Sequence, residues 1–438
     1  MNQPRYRWLV LSHAFNMDGR AASHTVTDKL KHLKDAGIEV VVISGVSGEW
    51  DPNLEHHRLW PWSASGFRFE LRHVLQKKWG RSFRYRLAML AVSSLLLPLN
   101  LAEKLLKPVE SSWLWWLPAW RAARKLHRKK PFDLVYSSGG ALAAHQAASR
   151  LKAEFAVPWF AEIHDPMVMP GATPVSCQEK LQAEVEKLIC EDADLAVWFT
   201  EQALASARQR HPHLQDRGQV ILPGVDAPSV ALLPYKPTKR LVVAHFGSLS
   251  ATRHLGQVVS ALEAFKDQHP TEFQDFQLHI FGSALDDISK RALESSSIAQ
   301  QVLVHGRLEV NLENGESGRD QILKIMRQAD VLLLLHGHDA VCAEYIPSKT
   351  YEYLWMQRPI LAVVHQNSQM KKILEGLGHV AIDSLAPIED FLSAFLMFHR
   401  DWKSSQGLRD LPYGHPYTTQ AAVSRLLELA LPLIDKNE

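Results

Sequence analysis

Glu344 and Glu352 stand eight residues apart in the segment Ala343-Glu-Tyr-Ile-Pro-Ser-Lys-Thr-Tyr-Glu-Tyr-Leu-Trp-Met-Gln-Arg-Pro-Ile360, with Pro347, Ser348 and Lys349 between them. Two carboxylates so placed can bracket one ligand and accept hydrogen bonds from its hydroxyls. Between them the residues suit a helix entry: Pro347 sets the turn, Ser348 is an N-cap candidate, and Lys349 falls in the first turn. A helix start after a buried strand presents N–H groups and a positive dipole end to a phosphate, and Lys349 adds a point charge. A surface helix with solvated Glu and Lys accounts for the same short segment.

His164 and Asp165 directly follow the apolar run Trp159–Ile163, so they stand at a strand end, where open α/β sheets bind ligands. The competing reading of His164 is structural, a ring hydrogen-bonded beside the strand. Gly19, next to Arg20, and the pair Gly139-Gly140 allow a backbone to approach a ligand closely, or serve as plain turns. Asp286-Asp287 has no partners for a metal site and reads as a helix start, so no metal is expected. Cys177, Cys190 and Cys342 are too scattered for a disulfide framework or a four-ligand zinc site.

The elements that must position these residues are short apolar strands alternating with helices. Strand-like runs are Trp8–Ser12, Val40–Ser44, Leu134–Ser137, Trp159–Ile163, Leu195–Phe199 and Val220–Leu222, then Leu241–Phe246, Gln277–Phe281, Val302–Val304, Val331–Leu335 and Ile360–Val364. Several are continuously apolar, as parallel strands covered on both faces are. Thr25–Ala36 and Gly256–Phe265 read as helices between them, and Thr418–Ile434 as an amphipathic helix at the end. The proline-rich stretch near residues 225–240 divides two α/β domains.

In this setting Glu-x7-Glu, with IPSKTYEYL and RPIL, resembles the nucleotide-sugar segment of family-4 retaining glycosyltransferases. Further blocks resemble the same family in order: HAFNMDGRAAS (His13–Ser23), FDLVYSSGG (Phe132–Gly140), WFAEIHDP (Trp159–Pro166), Phe246-Gly-Ser248 and QADVLL (Gln328–Leu333). The resemblance implies a GT-B fold, two facing Rossmann-like domains with a C-terminal helix crossing back to the first. The implied layout is an acceptor domain at 1–225, a linker at 226–240, a donor domain at 241–415 and the returning helix at 416–438.

By the same resemblance Glu352 binds the ribose hydroxyls of a UDP- or GDP-linked donor, and Glu344 lies near the transferred sugar. Gly247 and Ser248 open the diphosphate loop, with Arg253 and Lys349 as candidate phosphate cations, because Ser248 replaces an arginine common in the family. His305-Gly306-Arg307 resembles the loop beside the nucleobase, and Gly19 the first donor loop. His164 and Asp165 face the acceptor or the donor sugar. The implied chemistry retains configuration by a front-face route, the leaving phosphate assisting deprotonation of the acceptor. A nucleotide-sugar epimerase of the same fold, or a non-catalytic sugar-nucleotide-binding protein, are the alternatives.

Net charge sharpens the acceptor side. The 438 residues carry only +2, which by itself argues against nucleic acid or an anionic surface as partner. Yet residues 68–130 hold 15 Lys and Arg against Glu70, Glu103 and Glu110, a surplus of 12 that leaves the remainder at −10. The same insert contains 16 charge-free residues, Leu87–Ala102, and four tryptophans within Trp113–Trp120. A spanning helix needs about 20 apolar residues, so the insert reads as an interfacial segment, basic residues on headgroups and Trp at the boundary. An ordinary pair of core helices with a basic flank is the competing reading. The N-terminal run Arg7–Ser12 is too short for a secretion signal. The expectation is a cytoplasmic enzyme, peripheral at the inner face of the plasma membrane, that serves polysaccharide or lipopolysaccharide assembly on a saccharide or lipid-linked acceptor and has no nucleic-acid partner.

Overall fold

The computed structural model describes residues 6–17, 21–282, 284–309 and 315–435, so Gly19 and Arg20 lie outside the described residues. The chain forms two units, Met1–Gly224 with Thr419–Glu438, and Val225–Thr418.

The first unit is built on β1 (Tyr6–Leu11), β2 (Ile38–Ser44), β3 (Glu55–Arg58), β4 (Leu134–Ser138), β5 (Trp159–Ile163), β6 (Leu195–Trp198) and β7 (Gly218–Val220). They make one parallel sheet in the order β3-β2-β1-β4-β5-β6-β7. Its helices are α1 (Ala21–Asp35), α2 (Ala64–Trp79), α3 (Phe83–Leu95), α4 (Leu97–Leu106), α5 (Trp116–Lys129), α6 (Leu142–Phe155), α7 (Cys177–Asp192) and α8 (Glu201–Arg210). Every residue of β1 is buried, as is every residue of β4, β5 and β6. Continuous apolar runs are what a strand covered by helices on both faces requires.

The second unit carries β8 (Leu241–Phe246), β9 (Phe276–Phe281), β10 (Val302–Gly306), β11 (Val331–Leu335), β12 (Ile360–Val364) and β13 (Val380–Asp383). They are parallel in the order β10-β9-β8-β11-β12-β13. Around them lie α9 (Gly256–Gln268), α10 (Pro270–Phe273), α11 (Asp287–Glu294), α12 (Gly318–Gln328), α13 (Lys349–Leu354), α14 (Ser368–Gly376) and α15 (Ile388–Ser405). The last helix, α16 (Thr419–Asp435), belongs to the first unit: Ala422, Val423, Leu426 and Ala430 share a core with Trp8, Val10, Val26 and Leu30.

In each sheet the strand order reverses once, between β1 and β4 and between β8 and β11. Loops leaving the carboxyl ends of strands at such a reversal diverge and open a crevice, where doubly wound sheets bind ligands. Topology therefore points to Ser12–His13 with Gly139–Gly140 in the first unit, and to Gly247–Arg253 with His336–Gly337 in the second.

Residues 225–240, read from sequence as a linker, pack on the second unit. Val225, Val230 and Leu232 lie against its core, the Tyr235 hydroxyl bonds Asp330, and Arg358 stacks over the Tyr235 ring at 3.6 Å. The prolines prevent a helix but leave apolar side chains free to pack, which composition alone does not reveal.

Candidate functional site in each unit

In the second unit the functional residues converge at the carboxyl ends of β8, β9 and β11. The Tyr353 hydroxyl accepts the Phe246 N–H at 3.0 Å, pinning α13 to the end of β8. This places Lys349 over Gly247, where a methyl group added to the glycine would sit 3.5 Å from Lys349 Cε. Glu352, one turn on, accepts from Arg319 Nη2 at 3.2 Å and lies 3.7 Å from Lys349 Nζ. α13 is six residues long, with Ser348 at its N-cap position. Ser348 already has helical angles (φ −54°, ψ −28°) and its side chain makes no capping hydrogen bond, because Pro347 has begun the turn and its carbonyl takes the Thr350 N–H. Ser348 and Ser248 are both exposed.

Gly247 and Gly282 touch backbone to backbone. Gly282 has φ +147° and a Cβ on it would lie 2.0 Å from the Gly247 carbonyl oxygen, so no other residue fits there without moving the loop. The Gly282 N–H donates to the Gly306 carbonyl at 2.9 Å, bringing the third loop alongside. Arg307 is exposed beside it. Gly282→Ala is expected to cost about 1–3 kcal/mol in urea unfolding and to weaken ligand binding at this loop, and an unperturbed protein would contradict the close approach.

Arg253, a candidate phosphate cation, has two protein partners. Its Nε donates to the His336 carbonyl at 3.1 Å and its Nη2 to the Tyr345 hydroxyl at 2.7 Å. The segment bearing Glu344 is thus clamped. His336 Nε2 and Asn367 Nδ2 both donate to the Tyr345 carbonyl, at 3.0 and 2.8 Å, and Asn367 also holds the Cys342 carbonyl at 2.9 Å. Glu344 ends the short turn Ala340–Glu344 and is 2% exposed.

His245, on β8, completes the group. Its Nδ1 donates to the Leu333 carbonyl at 3.1 Å, which leaves Nε2 as a buried acceptor without a hydrogen-bond partner among the described residues. Burial lowers its pKa to about 4, the Leu333 carbonyl opposes, and Lys349 and Arg253 add to the lowering, so the ring is neutral at physiological pH.

In the first unit, β5 delivers Glu162 and the residue after it delivers His164. His164 Nε2 is 2.8 Å from both Glu162 Oε1 and Ser138 Oγ, and its ring stacks on Phe199. A proton on Nε2 directed at the carboxylate leaves Nδ1 as the acceptor face, buried and without a partner among the described residues. Glu162 is itself locked by Tyr136, whose hydroxyl donates at 2.9 Å, and by a buried ion pair with Lys29 from α1. Burial would raise the Glu162 pKa, but Lys29 and then His164 outweigh it and hold it at about 2. Gly139 is required beside this ring, because a Cβ there would meet His164 Cγ at 2.8 Å. A cavity of about 110 Å³ is lined by Gly139, Gly140, His145, His164 and Glu110, with the exposed Asp165 at its rim.

Residues 21–234 match the family model described as a glycosyl transferase 4-like domain. Solved structures share the fold across both units. Sucrose-phosphate synthase from Thermosynechococcus elongatus is similar with a TM-score of 0.61 at 13% identity, covering 99% of this chain and 100% of that one. A UDP-forming α,α-trehalose-phosphate synthase from Burkholderia vietnamiensis gives 0.54 at 12%, covering 100% and 95%. Anabaena Alr3699/HepE, solved in complex with UDP-glucose, gives 0.53 at 12%, covering 99% of each chain. No curated protein matches the sequence.

The chain carries a glycosyl transferase 4-like domain on a GT-B fold.

Within the glycosyl transferase 4-like domain the basic insert departs from its reading as an interface belt of tryptophans. Trp113 and Trp115 are buried in the core beneath the sheet, and Trp116 and Trp120 pack against them. Large flat rings fill the space between α5, α6 and the strands, so they are structural anchors. The exposed apolar surface comes from the charge-free run instead: α3 and α4 have no buried residue, and Leu95, Leu105 and Leu106 are 79%, 84% and 85% exposed. Among the described residues no single helix is long and apolar enough to cross a membrane; α3 and α4 pass together by length and composition but bend by 57° at their junction. On α5, Arg124 and Arg128 are both paired with Glu154.

Asp286 is the N-cap of α11, accepting the Ile288 and Ser289 N–H groups at 2.9 and 3.0 Å. Among the described residues no group of three His, Cys, Asp or Glu is placed to hold a metal ion. His245, Arg319, Tyr345, Asn367 and Lys29 are the site residues that sequence reasoning missed. Only His245 carried a signal, a histidine inside an otherwise apolar strand.

Proposed function

We propose that the protein is a retaining glycosyltransferase, hexosyl-transferring in kind. The second unit takes a UDP- or GDP-linked donor, and the first takes a saccharide or lipid-linked acceptor in bacterial polysaccharide or lipopolysaccharide assembly. The observation that carries the reading is the Arg319–Glu352–Lys349 group seated over the Gly247–Gly282 contact. A carboxylate held by cations beside a backbone loop free of side chains suits a ribose followed by a diphosphate. The UDP-glucose held by one structural relative agrees with that substrate class.

In this reading Glu352 accepts hydrogen bonds from both ribose hydroxyls, and Lys349 and the Ser248 N–H meet the diphosphate, whose negative charge grows as the sugar bond breaks. Arg253 contributes at one remove, by holding Tyr345 and the Glu344 segment. The base lies by Gly306 and Arg307. Glu344 faces the sugar, where positive charge develops. The neutral His245 Nε2 accepts a hydrogen bond from a hydroxyl of the donor, which a deprotonated phosphate oxygen cannot supply. His164, oriented by Glu162, and Asp165 receive the acceptor. The leaving phosphate takes the acceptor proton on the same face, and no metal is required. The exposed leucines of α3 and α4, with the basic residues around them, hold the enzyme against the cytoplasmic face of the membrane.

Thermal shifts with UDP, GDP, ADP and their sugars test the donor assignment, because a ligand that binds the native state raises Tm by mass action. A uridine or guanosine nucleotide is expected to stabilise the protein, and Glu352→Ala to weaken it by about 10–100-fold, the value of a charged hydrogen bond pair. If no nucleotide shifts Tm, or Glu352→Ala transfers sugar as well as the parent, the reading fails.

A further inference from the structure

A groove of about 920 Å³ lies in the insert, between α2, α4 and the Trp113–Trp116 turn. That is near the top of the range of about 300–1,000 Å³ for pockets that enclose a small ligand. One wall is apolar, with Leu97, Leu101, Leu106 and Trp116 among its residues. Five cations line the same hollow, Arg68, Arg72, Lys104, Lys107 and Arg150.

The charges are not balanced locally. The groove has two acids, and both are engaged by helix starts. The Glu103 carboxylate accepts the Ala64 and Ser65 N–H groups at the head of α2, and Glu110 accepts the Leu142 N–H at the head of α6. None of the five cations has a carboxylate partner among the described residues. Arg68 donates to Ser93 Oγ at 2.8 Å, Lys107 sits over the Trp113 ring at 5.5 Å, and Arg150 over Trp116 at 5.9 Å. An apolar trough rimmed by uncompensated cations is complementary to an amphiphile with an anionic head.

Its position matters as much as its lining. Glu110 lines both this groove and the small cavity at His164. The two hollows therefore adjoin at Glu110.

We propose that this groove binds the lipid part of the acceptor, a single-chain lipid phosphate or diphosphate, with the chain along the leucine wall and the phosphate among Arg72, Lys104, Lys107 and Arg150. This rests on the acceptor reading above and adds to it a site and a head-group chemistry. It also separates two uses of the insert: the groove takes one lipid, and the outward leucines of α3 and α4 take the surface.

The test uses the full chain and three probes, farnesyl diphosphate, farnesol and inorganic pyrophosphate, each read by thermal shift. Farnesyl diphosphate is expected to raise Tm, and neither half alone to do so at equal concentration. Arg72→Glu with Lys104→Glu, and separately Leu101→Asp, are expected to weaken that binding at least tenfold. Leu101 is already half exposed, so its replacement leaves the fold intact. Leu95→Asp with Leu105→Asp, outside the groove, is expected to keep the diphosphate shift. An absent shift, or one unchanged by the groove variants, overturns the proposal. So does loss of the shift in the outer-face pair alone, which would assign the insert to bulk membrane contact. Nucleotide shifts on the same samples keep the donor reading separate: they persist if only the groove proposal fails.

Discussion

Glu344→Gln is expected to lower kcat by about 10²–10³-fold, the range seen when one preorganised electrostatic group is lost, while the nucleotide-induced thermal shift stays within about twofold. Glu344 is almost wholly buried, and the segment around it is fixed by Arg253, His336 and Asn367. A carboxylate held this way reorganises little as charge develops, so its stabilisation falls on the transition state more than on the bound donor. Glutamine keeps the shape and removes the charge. The expected split is therefore a fall in kcat with little change in donor KM. Asn367→Ala, which frees the Cys342 carbonyl and leaves the Tyr345 carbonyl to His336 alone, should give a smaller fall of the same kind. Steady-state kinetics with a saturating acceptor decide it, and an unchanged kcat for Glu344→Gln would remove Glu344 from the chemistry.

Lys29→Met is expected to destabilise the first unit by about 3–5 kcal/mol, the cost of stranding one member of a buried ion pair. Lys29 and Glu162 are each 1% exposed, and Glu162 also anchors Tyr136 and His164. The pH dependence has a definite sign. Glu162 has a folded-state pKa of about 2 against an ordinary 4.5, so in the parent its contribution is complete above pH 4.5 and is lost as the pH falls towards 2. The gap between parent and Lys29→Met should narrow as the pH falls: without Lys29, burial raises the Glu162 pKa, so the variant takes up the proton that removes its stranded charge at higher pH than the parent does. Urea unfolding followed between pH 7 and 3 reads both quantities. A gap independent of pH would mean that the lysine acts through packing alone. Adding Glu162→Leu to Lys29→Met should recover part of the loss, since an apolar pair needs no compensation.

Much of the frame was legible along the chain because its signals are local. Runs such as VLLLL at β11 and ILAVV at β12 are strands buried on both faces whatever surrounds them. β3, reading Glu-His-His-Arg, escaped notice because a polar edge strand is held by its neighbour β2 and not by its own composition. β13 was likewise missed. The site showed the same division. Glu344, Lys349 and Glu352 lie within nine residues of one another and could be read as one group. Arg319 reaches Glu352 from 33 positions away, and Asn367 reaches Tyr345 from 22, so their roles come into view only when the sheet closes. Arg253 stood out by position as a phosphate ligand, and only folding shows that it also holds Tyr345.

Residue order by itself determined two parallel α/β units, the strand-end placement of His164 and Asp165, and a basic, charge-free-cored insert in a chain whose net charge conceals it. Each follows from side-chain type at short range. Tertiary structure alone decided that Trp113 and Trp115 are buried while the leucines of α3 and α4 are exposed, and that Glu103 and Glu110 are consumed at the starts of α2 and α6. Hydropathy gives the same value to a tryptophan in a core and at a surface, and a carboxylate is neutralised by whichever helix start folds against it. The +12 surplus was a property of the sequence; that Arg68, Arg72, Lys104 and Lys107 line one apolar groove is a property of the fold.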